Sequence, residues 1–179
     1  MTMSMVELVT ELRRYGLLDP SRKRGCTAQE IRALELKYDV RLPDAYRAFL
    51  AEFGRGGAEV LDFKELDFLY PHVMDITAYV HDYRTRIEER LAALCAREGA
   101  EPGPGDRLSA LPEHSLFIAN RSGVTFLFIV AVGGADCPVH YYSTDTDDGM
   151  DELQEAFPSV RDWLLSSVRG TGELRRRIR

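Results

Sequence analysis

Ile31-Arg-Ala-Leu-Glu-Leu-Lys-Tyr-Asp-Val-Arg-Leu-Pro-Asp-Ala-Tyr-Arg-Ala-Phe-Leu50 reads as two helices hinged on one proline. Ile31, Leu34 and Tyr38 share one helical face, and Thr27 with Glu30 three residues on has the spacing of a capping box that starts the helix. Leu42-Pro43 breaks it, because a proline drives the residue before it out of helical geometry. Pro43 and Asp44 then suit the first turn of a second helix, where an anion is favoured by the unpaired N–H groups. Within that helix Tyr46, Phe49, Leu50 and Phe53 recur at three- and four-residue steps as a broad apolar stripe. Gly54 falls where a left-handed cap is expected, and Gly56-Gly57 makes the next turn.

Working outward, the chain before this stretch predicts a short amphipathic helix. Ser4 and Glu7 have capping-box spacing, Met5, Val9, Leu12 and Tyr15 follow a helical rhythm, and Gly16 ends it. Asp19 to Gly25 is a polar, basic loop. After it, residues 58–70 fit neither a helical nor a strand template. Asp75 introduces the longest helix, in which Ile76, Val80, Tyr83, Ile87, Leu91 and Leu94 form the stripe and Cys95 falls on the buried side. Gly99 to Asp106, rich in Gly and Pro, ends it as a surface loop.

The following part reads as sheet. Ser115–Ala119 is a strand, Asn120–Gly123 a hairpin loop, and Val124–Val132 a second strand that is apolar on both alternating faces. At an edge such a strand would invite aggregation, so a central, doubly covered position is expected. Val139–Tyr142 is a third strand. Ser159 caps the last helix, whose buried stripe is Val160, Trp163, Leu164 and Val168, and the arginine-rich end from Gly170 is expected to fray. Helices, then strands, then a helix describe one α+β domain over residues 1–179: a central antiparallel sheet flanked by N-terminal helices and a C-terminal helix.

The 179 residues carry 23 Lys and Arg against 29 Asp and Glu, a net charge of −6. An acidic body argues against nucleic acid as a partner, since phosphate neutralisation needs a basic face, and suits either a soluble life or a basic protein partner. Cys26, Cys95 and Cys137 are odd in number, widely spaced and without a CxxC, which points to a reducing compartment rather than to a disulfide framework or zinc site. The N-terminus lacks the pattern of a secretion signal, and the apolar run Phe126–Val132 is far below the ~20 residues of a membrane helix, so a cytoplasmic location without membrane contact is expected.

The Leu42-Pro43, Tyr46, Phe49-Leu50 and Gly56-Gly57 pattern resembles the signature of the SUKH superfamily, which groups the fungal cell-wall-assembly regulator, the bacterial Syd protein and many bacterial immunity proteins. The hairpin from Leu116-Phe117-Ile118 through Gly123 into Phe126–Val130 is similar to the family's central sheet, and Ser159–Leu165 to its closing helix. The resemblance covers roughly residues 27–168. It departs from the family at the helix and loop of 75–113, which look like an insertion. What it implies is binding rather than catalysis: bacterial members neutralise the toxin encoded beside them by direct contact, and other members act as adaptors.

The strongest polar feature is Asp145, Asp147, Asp148, Asp151, Glu152 and Glu155, with no Lys or Arg between Arg121 and Arg161. Such a run either is a solvated loop or docks a basic surface, such as the substrate groove of a nuclease toxin, with carboxylates standing where phosphates would go. It is not an EF-hand: Gly149 comes one residue early and Ala156 stands where the bidentate Glu belongs. Tyr141 and Tyr142, beside the run, are the candidate apolar anchor that tight binding needs. Arg22-Lys23-Arg24 and Arg175-Arg176-Arg177 with Arg179, in a loop and a tail and lacking interleaved aromatics, either touch phosphate or an anionic lipid or, the favoured reading, are solvated segments. His72, His81, His114 and His140 show no metal-ligand spacing, His140 being a structural residue on its strand. No nucleophile elbow or phosphate loop is present, so no catalytic residue, metal or cofactor is assigned. An enzyme would need His140, Cys137 and a carboxylate to gather in one pocket.

Overall fold

In the computed structural model, described for residues 5–58, 71–99, 108–121, 123–143 and 152–178, the element order is α1 (Met5–Tyr15), α2 (Ala28–Tyr38), α3 (Asp44–Phe53), α4 (His72–Glu98), β1 (Ser115–Arg121), β2 (Thr125–Val130), β3 (Val139–Ser143), β4 (Glu152–Phe157) and α5 (Val160–Ile178). The expectations for Ser4, for most of 58–70, for the Gly-Pro loop beyond Gly99 and for residues 144–151 lie outside the described residues.

Local chemistry sets the helix starts. The Glu30 N–H donates to Thr27 Oγ1 at 3.2 Å and the Thr27 N–H to the Glu30 carboxylate at 2.8 Å, so α2 begins in the expected capping box. Pro43 is the N-cap of α3. At α5 the Asp162 N–H donates to Ser159 Oγ at 3.0 Å. Asp136, in the turn between β2 and β3, accepts from the N–H groups of Cys137 (2.9 Å) and Val160 (3.0 Å), which ties that turn to the first turn of α5. Gly54 corrects the expectation of a left-handed cap: its φ is −59° and ψ −15°. Glycine is needed there because a Cβ would lie 2.5 Å from Cys26 Sγ. The left-handed backbone falls to Gly56 and Gly57, with φ of 127° and 95°.

The strands pair antiparallel in the order β1-β2-β3-β4. The apolar strand β2 is central, as its two-sided pattern requires. One face of the sheet, with Leu116, Ile118, Ile129 and Val139, joins α1, α2, α3 and α5 in the main core around Tyr46, Phe49, Phe53, Trp163 and Leu164. The opposite face, with Phe117, Phe126, Phe128 and Tyr142, forms a second core with Ile76 and Val80 of α4.

Helix α4 also closes the edge of β1. Thr77 Oγ1 accepts from the Phe117 N–H at 3.0 Å and stands 3.5 Å from the Phe117 carbonyl, giving that backbone the partner an edge strand lacks. Its 27 residues span ~40 Å, whereas the seven of β1 reach ~23 Å, so the helix outruns the sheet. The expected stripe therefore holds only at the first turns. Ile76 and Val80 are buried, Ile87, Leu91 and Cys95 are half-buried, and Leu94 is 42% exposed.

Two further differences concern the C-terminal part. Glu152–Phe157, left unassigned by its pattern, is the edge strand β4. The segment expected to fray from Gly170 continues α5 to Ile178, with Thr171 and Gly172 buried. Gly172 seats against the Tyr15 ring of α1, and the two helices are joined by the Glu7–Arg161 ion pair.

Candidate partner-binding face

Of the predicted acidic run and its two tyrosines, the structure describes Tyr141 and Tyr142 on β3 and Glu152 and Glu155 on β4. Ser143 pairs with Glu152, so the chain leaves β3 and re-enters β4 at adjacent points; the sequence between them includes Asp145, Asp147, Asp148 and Asp151. Those four aspartates lie outside the described residues. Glu152 is the first residue of β4. Glu155 is exposed, opposite His140, and Gln154 is exposed opposite Tyr141. With β3 on one side, β4 is an edge strand whose Gln154, Glu155 and Ala156 are exposed. A carboxylate on an exposed edge also discourages unwanted strand addition.

The two tyrosines separate. Tyr141 is half-exposed and belongs to neither buried cluster, which leaves it available at the surface. Tyr142 is fully buried, and this corrects its assignment as an anchor. Its ring packs 5.8 Å from Phe117 and 6.1 Å from Phe126, and its hydroxyl accepts from the Arg84 guanidinium at 3.1 Å. Arg84, itself buried, lies 5.4 Å over the Tyr142 ring and also donates to the Ser109 carbonyl. Tyr142 thus organises the second core, and Tyr141 alone keeps the anchor role in prospect. Sequence reasoning missed Arg84, which lies among ordinary helix-surface charges; its only signal was being in step with Ile76 and Val80 along α4.

The remaining reactive groups have structural surroundings. His140 stacks on Phe128 with ring centroids 5.0 Å apart. Burial and the neighbouring Asp136 carboxylate push the Cys137 thiol up to about 12, and burial pushes Cys26 up to about 11, the reverse of thiolate activation. His114 Nδ1 lies 2.8 Å from the Asp39 carbonyl; since a carbonyl only accepts, Nδ1 carries the proton. Among the described residues no three His, Cys, Asp or Glu side chains are grouped to hold a metal, and no helix is long and apolar enough to cross a membrane.

No curated protein matches this chain. The SMI1 / KNR4 family (SUKH-1) matches residues 25–166, from the Arg24-anchored turn before α2 into α5, close to the span over which the Leu-Pro pattern resembles that superfamily. A match over most of the chain, on an α+β fold with the antiparallel sheet expected for it, makes the chain a member of the SMI1 / KNR4 (SUKH-1) family.

Proposed function

We propose that this protein is a non-catalytic binding domain, most concretely an immunity protein that neutralises a cognate toxin by covering it. The family includes immunity proteins and related regulators, which sets the class. The observation that carries the finer reading is the β3–β4 end of the sheet. There a half-exposed Tyr141 and the exposed Gln154 and Glu155 lie on paired strands of a sheet packed on both faces, and the sequence joining those strands carries four aspartates. Rigid presentation limits the ordering cost of association. The carboxylates steer a basic surface toward the site, and the tyrosine supplies the apolar contact that charge alone does not.

The test is co-expression, in a sensitive host, of this chain with the protein encoded beside it, followed by purification of the pair. Restored growth and a co-purifying complex are expected. Killing that continues at full expression, with no complex formed, contradicts the immunity role and leaves the adaptor role of other family members as the reading to pursue.

A further inference from the structure

Away from the sheet end, the loop between α1 and α2 and the turn after α3 enclose a cleft of about 420 Å³ lined by Arg22, Arg24, Arg55, Asp19 and the Gly56-Gly57 backbone. The sequence favours a solvated Arg22-Lys23-Arg24 over a phosphate contact, but the backbone of this segment is clamped. The Asp19 N–H donates to the Gly57 carbonyl at 3.0 Å, the Arg24 N–H to Gly56 at 3.1 Å and the Arg55 N–H to Arg24 at 2.9 Å. Gly57 allows this closeness, for a Cβ there would lie 2.3 Å from Lys23 Cα. The cleft therefore holds its arginines on a fixed frame, which lowers the ordering cost of engaging a ligand.

The cations around the cleft are not equally partnered. Among the described lining residues the carboxylate is Asp19, which accepts the Ser21 hydroxyl at 2.6 Å and the Ser21 N–H at 3.0 Å, and stands 3.5 Å from Arg22. Arg55 is oriented by Glu30, the capping residue of α2, and Lys23 is drawn aside to Glu52. Arg24 makes no ion pair among the described residues. With Arg22 facing Asp19 and Arg55 facing Glu30, Arg24 is the guanidinium of the cleft with no carboxylate partner among the described residues, a local positive charge in a chain of net charge −6. Guanidinium forks match phosphate oxygens bidentately, and the volume lies within the ~300–1,000 Å³ of small-ligand sites, with room beyond a single phosphate. We propose that this cleft binds a phosphate-bearing small molecule, with Arg24 the principal contact and Arg22 and Arg55 flanking it.

Calorimetric titration of the full chain with inorganic pyrophosphate tests this, with orthophosphate and AMP as further arms. Saturable one-site binding of pyrophosphate is expected, weakened about tenfold or more by Arg24→Ala. Arg32→Ala, the same charge change at an exposed position on α2, is expected to leave it nearly unchanged, and both variants should unfold at the wild-type midpoint. Tighter binding of AMP than of orthophosphate identifies a nucleotide as the source of the phosphate, and the reverse order an inorganic one; either upholds the site. Absence of saturable binding, binding indifferent to Arg24→Ala, or equal weakening by Arg32→Ala overturns it.

Discussion

A Cβ on Gly57 would meet the backbone of Lys23, and the residue has a φ of 95°. Gly16 shares the left-handed backbone, at 67°, but opens onto empty space. The pair separates two effects. Gly16→Ala should cost about 1–2 kcal/mol for the backbone alone, and Gly57→Ala about 2–4 kcal/mol once crowding is added. Equal losses in denaturant unfolding would refute the clamp between the two loops. Glu30 shows how one carboxylate serves two structures: the Arg55 guanidinium, then the Thr27 N–H, hold it down at about 2 from an ordinary 4.5. A carboxyl group more acidic folded than unfolded stabilises the fold above its unfolded value, and that contribution drains away as pH falls from about 4.5 toward 2. Glu30→Gln should flatten the pH dependence of unfolding in that window, and an unaltered slope would contradict the assignment. Tyr46, fully buried, has a hydroxyl without a partner among the described residues. Tyr46→Phe is therefore expected to leave stability unchanged or to raise it by up to about 1 kcal/mol; a clear loss would reveal a hidden partner.

Between elements, the edge of β1 depends on one side chain of α4. Thr77→Val keeps the shape but strands the buried Phe117 N–H, and a loss of about 1–3 kcal/mol is expected in equilibrium unfolding; no loss would mean that α4 guards the edge by packing alone. Elements written in local chemistry were legible in the chain itself. Helices α2 and α3 announce themselves because Thr27, Glu30, Pro43 and the Tyr46–Phe53 stripe act within one or two turns. Strand β4 did not, because Glu-Leu-Gln-Glu-Ala-Phe has neither alternation nor β-branched residues and is extended through its pairing with β3. The end of α5 was misread for the same reason: Arg-Arg-Arg resembles a tail, while the seat of Gly172 on Tyr15 joins residues far apart in sequence. At the candidate site the acids were plain as a run. The choice between Tyr141 and Tyr142 was not, since either could face inward until α4 is known to cover the Phe117–Phe126 face.

For the molecule as a whole, the proposed partner face and the proposed phosphate site are built from different elements. Tyr141 lies on β3, paired with β4, while the arginine cleft is built from the loop before α2 and the turn after α3. Membership of the SMI1 / KNR4 (SUKH-1) family gives the class of the protein, and the partner is read from the surface that the shared scaffold carries. Exposed charges at a binding rim act chiefly on encounter, whereas an aromatic anchor acts on residence. Tyr141→Ala is thus expected to speed dissociation of the toxin complex, costing about 1–2 kcal/mol, where a change confined to association would remove its anchor role. The most direct measurement is the association rate of this chain with the proposed toxin partner, the protein encoded beside it, across a salt series, for the wild type and for the Asp145→Lys, Asp147→Lys, Asp148→Lys triple variant. The account predicts that wild-type association slows steeply with salt, and that the variant associates about tenfold or more slowly at low salt with a flattened dependence. Equal rates and equal salt slopes for the two proteins would contradict it.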